Sequence, residues 1–89
     1  MTKEWNIEQI PGWDKYFRKF DKDVQLQILK KISQLIIISN HRRLHQSKFC
    51  VEEVGQYRIC FIIAEETKTK YIHFIGNHKQ YEKWYKSSN

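Results

Sequence analysis

The sequence predicts an α+β fold: a small antiparallel sheet in the order β-α-α-β-β-β, with a helical hairpin on one face and a short C-terminal helical segment. Three observations predict it. Apolar residues from Trp13 to Ile36 recur at helical spacing. Three later runs rich in β-branched and aromatic residues are separated by turn signals. Tyr81, Trp84 and Tyr85 then return to i, i+3, i+4 spacing.

The elements follow in order. Trp5, Ile7 and Gln9 alternate with Asn6, Glu8 and Ile10 as in a short strand, closed by the breaker pair Pro11-Gly12. Trp13, Tyr16, Phe17 and Phe20 mark one face of a short helix. Asp21 is placed to cap a second helix with apolar positions Val24, Ile28, Leu29, Ile32, Leu35 and Ile36, ended by Ser39-Asn40. His41 to Lys48 reads as a polar, basic loop, and Phe49 to Val54 as a strand. Gly55-Gln56 has the glycine-first pattern of a type II′ hairpin turn. Tyr57 to Ala64 is apolar enough for a central strand. Glu65 to Lys70 is a charged turn, and Tyr71 to Ile75 is the last strand, stopped by Gly76.

The hairpin turn fixes register. It pairs Val54 with Tyr57, Glu53 with Arg58 and Val51 with Cys60. A second turn closed by Glu65 and Lys70 would pair Ile62 with His73 and Arg58 with Asn77. One face then carries Val54, Tyr57, Ile59, Phe61, Ile63, Ile72 and Phe74 and meets the helices. The other carries Glu53, Arg58, Cys60, Ile62, His73, Ile75 and Asn77 and looks toward solvent or a cleft. Cys50 and Cys60 fall on opposite faces, which disfavours a disulfide between them.

Composition narrows the function. With 89 residues the chain is expected to be one domain, residues 1–89. Aromatics at 15%, with abundant isoleucine, argue against a disordered chain. Two cysteines do not make a disulfide scaffold. Neither a signal peptide nor a membrane-length apolar run is present, so a cytoplasmic location with no membrane partner is expected. There is no CxxC, HExxH, GxSxG or glycine-rich phosphate loop, so neither metal nor cofactor is expected. A formal net charge of +6 suits a polyanionic partner.

The chemistry-bearing residues gather at the end of the last strand. His78 follows the predicted partner of Arg58 by one residue. Imidazole suits proton transfer near neutral pH, and a guanidinium offers a fixed fork of donors to phosphate. The plainer alternative is a surface histidine after a turn and an arginine paired with Glu53. Arg42, Arg43, His45 and Lys48, in the basic loop, are candidate phosphate contacts or simply a solvated loop. Tyr81, Trp84 and Tyr85 fit either base stacking or the inner stripe of a docked helix.

Three stretches carry a family resemblance: "WDKYFRKFDKDVQLQILKKISQL", "VGQYRICFII" and "IHFIGNHKQYEKW". They resemble the RelE/ParE superfamily of toxins from toxin–antitoxin pairs, and most of all its RelE- and HigB-like ribonuclease branches. The last stretch is the most specific, similar to the G-x-H-x-x-Y pattern of HigB-like members.

That resemblance implies an endoribonuclease that cuts mRNA, usually on the ribosome, without a metal. It implies a phosphate-contacting role for Arg58 and proton transfer or charge stabilisation by His78. Tyr81 would be the orienting aromatic, with Trp84 or Tyr85 as alternatives. His45 and Lys48 match the RNA-binding loop by region, and Arg42, Arg43 and Lys79 complete the expected RNA-binding set. The sequence departs from members with a lysine-rich loop, since Lys48 stands alone and Glu52-Glu53 lies where some are basic. The implied partners are a cognate antitoxin with an acidic segment, mRNA and the ribosome. A ParE-like gyrase-directed toxin and a non-enzymatic basic binding module are the rival readings.

Overall fold

The Gly55-Gln56 turn folds as its residue order requires. Gly55 has φ +60° while Gln56 stays at negative φ, the type II′ pattern. The computed structural model describes residues 4–37, 42–43 and 48–88, with 42, 43, 87 and 88 as backbone. The turn joins strand β3 (Cys50–Val54) to strand β4 (Tyr57–Ala64). Val54 faces Tyr57, Glu53 faces Arg58 and Val51 faces Cys60, as expected.

The next hairpin departs from expectation. Strand β5 runs from Thr69 to Asn77, longer at both ends than the apolar run suggests. Its turn closes with Ala64 opposite Thr69, and Lys68 takes φ +51° within it. Lys70, expected in the turn, instead lies inside the strand opposite Ile63. The ladder then breaks between Cys60 and Phe61: Phe61 faces Ile72 while Cys60 faces Phe74, which leaves His73 as the extra residue of a β-bulge. One extra residue flips every side chain beyond it to the other face. Ile75 therefore joins Ile59 on one side and Phe74 joins Cys60 on the other, the reverse of the expected faces. Arg58 faces Gly76, not Asn77.

Strand β1 (Asn6–Gln9) pairs with β5 from Asn6 opposite Thr69 to Gln9 opposite Ile72, and the pairing is parallel. The sheet is therefore mixed rather than wholly antiparallel. Strand β2, the dipeptide Arg42–Arg43, pairs antiparallel with β3, so part of the expected basic loop is an edge strand. The sheet order is β1-β5-β4-β3-β2.

Between β1 and the main helix the aromatic segment does not form an α-helix. It is a series of turns ending in a 3₁₀ turn, Phe17–Lys19. The eight residues between Gly12 and Asp21 are too few to offset helix nucleation, and bulky aromatics are middling helix formers. The side-chain amide of Gln25 also donates to the Phe17 carbonyl at 3.0 Å. The expected helical hairpin is thus one 3₁₀ turn followed by one α-helix. Helix α1 spans Lys22–Gln34; Asp21 holds the N-cap position with extended backbone but makes no side-chain capping bond. Ile28, Ile32 and Leu35 are buried while Leu29 points outward. The helix ends at Gln34 with Leu35 as its C-cap, short of the expected Ser39-Asn40 stop, which itself lies outside the described residues.

Two cores result. The larger packs Phe17, Ile28, Ile32 and Leu35 against Cys50, Ile59, Phe61, Ile72 and Ile75. The smaller lies on the opposite face, where helix α2 (His78–Ser88) sets Tyr81 against Val51, Cys60 and Phe74. The second face is therefore covered by α2 along part of its length. Cys50 and Cys60 belong to different cores and both remain thiols.

Lys70 is the unexpected member of the larger-core side. It is fully buried, donates from Nζ to the Leu35 carbonyl at 2.5 Å and lies 4.9 Å over the Trp5 ring. It thereby satisfies a carbonyl at the end of α1 that the helix itself leaves without a partner. Burial pushes its ammonium down to about 8, partly offset by Cys50 and Glu52 nearby.

Candidate active site

Strand β5 passes into α2 with no intervening loop, and Asn77 makes the junction. The Gln80 N–H donates to Asn77 Oδ1 at 2.9 Å, and the Asn77 N–H donates to Gln80 Oε1 at 2.8 Å. This reciprocal pair is a capping box, with Asn77 as N-cap and Gln80 three residues on. It fixes His78 as the first residue of the helix. Gly76 is demanded by the same corner: a Cβ there would stand 2.6 Å from Cζ of Phe74 and 3.0 Å from Oε1 of Gln80.

Arg58 projects from β4 onto the α2 face. Its guanidinium lies 4.7 Å over the Tyr81 ring, and Nη2 is 3.5 Å from Oε2 of Glu53 across the hairpin. Tyr81 is only 7% exposed. Burial, and then the neighbouring Cys60, push its phenol upward against the opposing pull of Arg58, so it holds its proton at neutral pH. Burial pushes the Cys60 thiol to about 12 despite Arg58, which rules it out as a thiolate nucleophile.

His78 is exposed, and its Nε2 lies 2.5 Å from Oε1 of Glu82, one helical turn on. It contacts Glu82 rather than Arg58 or Tyr81. The expected proximity of His78 and Arg58 is thus reduced to a shared corner, because the turn closes at Ala64–Thr69 rather than Ala64–Tyr71 and the bulge restores only one place, leaving Arg58 opposite Gly76. Lys79 is exposed on the first turn of α2, and Lys48 is exposed just before β3. Arg42 and Arg43 are placed by backbone alone on the far edge strand, beyond β3. His45 lies outside the described residues.

The aromatic tail packs as the inner stripe of a docked helix. Tyr81 is core. Trp84 is half-buried and stacks on Phe74 at 4.8 Å with planes 13° apart. Tyr85 stacks on Tyr81 at 5.9 Å. Phe49 meets Trp84 edge-on at 5.0 Å and His73 at 5.4 Å. His73 was not among the candidates. Its imidazole is lowered by burial and then by the charge of Lys48, so it is a neutral ring beside the basic rim. The bulge that places it there carries no signal in residue type. The capping box was within reach of the sequence, in the spacing Asn-x-x-Gln of "NHKQ".

No metal-holding group of His, Cys, Asp and Glu occurs among the described residues. Among them, no helix is long and apolar enough to cross a membrane.

No protein-family model and no curated protein matches the chain. Solved structures do. The toxin–antitoxin complex RelBE of E. coli matches with a TM-score of 0.70 and 14% identity, over 82% of this chain and 95% of that one. A RelBE toxin–antitoxin complex from Mycobacterium tuberculosis matches at 0.71 and 13%, over 88% and 94%. The isolated E. coli RelE toxin matches at 0.67 and 16%, over 96% and 99%. The chain therefore has the fold of the RelE toxins, nearly end to end.

Proposed function

We propose that this protein is the toxin of a toxin–antitoxin pair and an endoribonuclease acting on mRNA, on the ribosome. The observation that carries the reading is the placement of Arg58 over Tyr81 at the corner where the Asn77 cap presents His78. The RelE-like fold supports it.

In the proposed reaction a ribose 2′-OH attacks the adjacent 3′-phosphate. The new bond closes a 2′,3′-cyclic phosphate while the bond to the 5′-oxygen breaks, leaving a 5′-OH. Arg58 stabilises the charge that develops on the phosphorane. Glu82 accepts from His78 Nε2, which makes Nδ1 the site that takes the 2′-OH proton. Tyr81, protonated at neutral pH, is the candidate donor to the departing 5′-oxygen. Lys48, Lys79, Arg42, Arg43 and His45 hold flanking phosphates.

The partner that restrains such an activity would be a co-expressed antitoxin with an acidic segment covering the Arg58–His78 rim. The solved RelBE complexes support that pairing.

The test is to map RNA ends after induction in cells. New mRNA fragments bearing 5′-OH and 2′,3′-cyclic phosphate ends are expected. Intact mRNA together with altered DNA supercoiling would replace this reading with a gyrase-directed toxin. Intact mRNA with neither effect would leave a binding module.

A further inference from the structure

Tyr16 breaks ranks with its neighbours. Trp13, Phe17 and Phe20 turn into the larger core, while Tyr16 crosses to the α2 face and meets Phe74 edge-on at 5.8 Å. There it forms one wall of a cleft of about 210 Å³, lined by Lys15, Tyr16, Phe74, Lys83 and Trp84. We propose that this cleft is a subsite for one base of single-stranded RNA, with Lys15 and Lys83 holding the phosphates beside it. The proposal rests on the ribonuclease reading and adds a second contact, made by residues outside the expected phosphate-binding set.

Size and lining select the occupant. Pockets for drug-sized ligands run to roughly 300–1,000 Å³, so this cleft suits a single ring system. Its walls are three aromatic rings, and its charged members are two exposed lysines with no acid among them. Flat π-faces flanked by ammonium groups complement a base and its anionic backbone. The wall is also preorganised. Trp84 is stacked on Phe74 and braced by Phe49 and by Tyr81, whose ring centroid is 6.4 Å away. Lys15 Nζ already stands 5.4 Å from the Tyr16 ring centre, at the side of the cleft.

Position links the cleft to the chemistry. Trp84 touches Tyr81, and Arg58 lies on Tyr81. A strand whose scissile phosphate rests on Arg58 would carry a neighbouring base along this aromatic path into the cleft. Stacking tolerates any base, so the subsite would add affinity and register without dictating sequence.

The test is binding of a fluorescein-labelled single-stranded decaribonucleotide at fixed salt, read by anisotropy. All proteins carry His78→Ala so that the RNA stays intact. Lys15→Ala with Lys83→Ala should weaken binding at least ~10-fold, whereas Lys22→Ala with Lys30→Ala, which removes equal charge from the outer surface of α1, should cost no more than about 3-fold. Tyr16→Leu should weaken RNA about 10-fold but leave an abasic backbone of the same length unaffected. Equal losses from the two lysine pairs, or unchanged RNA binding by Tyr16→Leu, would overturn the subsite. So would a mononucleotide that competes as well as the decamer, since it would assign the cleft to a free nucleotide. These outcomes are separate from the fate of the parent reading: a protein that makes new mRNA ends in cells while its cleft variants bind normally loses only the subsite. A protein that neither binds the decamer nor makes new ends loses both.

Discussion

Asn77 and Gln80 exchange hydrogen bonds, each backbone N–H donating to the other's side-chain oxygen, at 2.8 and 2.9 Å. Two of the donors that open α2 are satisfied in this way, and the histidine between them is held at the first helical position. Asn77→Ala should therefore lower stability by about 1 kcal/mol. It should also lower cleavage by more than that loss explains, because the first turn then frays around His78. Comparing melting with cleavage at a temperature where both proteins are fully folded separates the two effects.

His78→Ala should leave stability within about 0.5 kcal/mol, since the side chain is exposed. Cleavage should fall ~100-fold or more. Full activity in a well-folded preparation would remove His78 from the mechanism.

Arg58→Lys keeps a positive charge but loses the planar fork and the stack on Tyr81. It should recover little of the ~100-fold loss expected for Arg58→Ala. Single-turnover cleavage rates of the two variants are the measurement. A lysine variant with wild-type rate would mean that charge alone suffices at this position.

Gly76→Ala should be costly although glycine there has ordinary backbone angles. The added methyl meets the Phe74 ring, which Trp84 holds from its other side. Overpacking of this kind costs about 1–3 kcal/mol. Phe74→Leu in the same chain should return part of it, and a denaturant titration of single and double variants would reveal the coupling.

Lys70 sets a pH dependence. Its ammonium titrates at about 8 in the folded chain and at 10.5 when exposed. Between those values the unfolded chain binds the additional proton, so this group's contribution to stability rises with pH across the window. The contribution is complete above 10.5 and is lost as pH falls through about 8. Denaturation at pH 7.5 and pH 10 should show wild type gaining on Lys70→Met. A constant difference between the two would show that the ammonium is hydrated in the folded protein.

The parts legible in the sequence are those fixed by local chemistry. Gly55-Gln56 names its own turn, and the register of β3 on β4 follows from it, including the Glu53–Arg58 pair. The stripe Ile28, Ile32, Leu35 names α1. What escapes is set by tertiary contact. Lys70 has the composition of a turn and becomes core only because a helix carbonyl and an indole wait for it. The bulge at His73 leaves no trace in residue type, yet it exchanges Phe74 with Ile75 and shifts Arg58 by one place. Tyr16 has the spacing of its neighbours, and only the Phe74 ring on the far face accounts for its departure. The corner residues Arg58, His78 and Tyr81 were identifiable by type, while their division into an Arg58–Tyr81 stack and a His78–Glu82 pair was not.

The parallel pairing of β1 with β5 has a consequence for synthesis. Asn6 is translated long before its ladder partner Thr69, with α1, β3 and β4 made in between. Loop closure over such a span is entropically costly and slow. Until it occurs, β5 has no neighbour on its β1 side, and the exposed edge invites association with other chains. The chain thus passes through a sticky interval before its sheet is sealed. That interval is when another chain would have its first opportunity to add a strand to this edge.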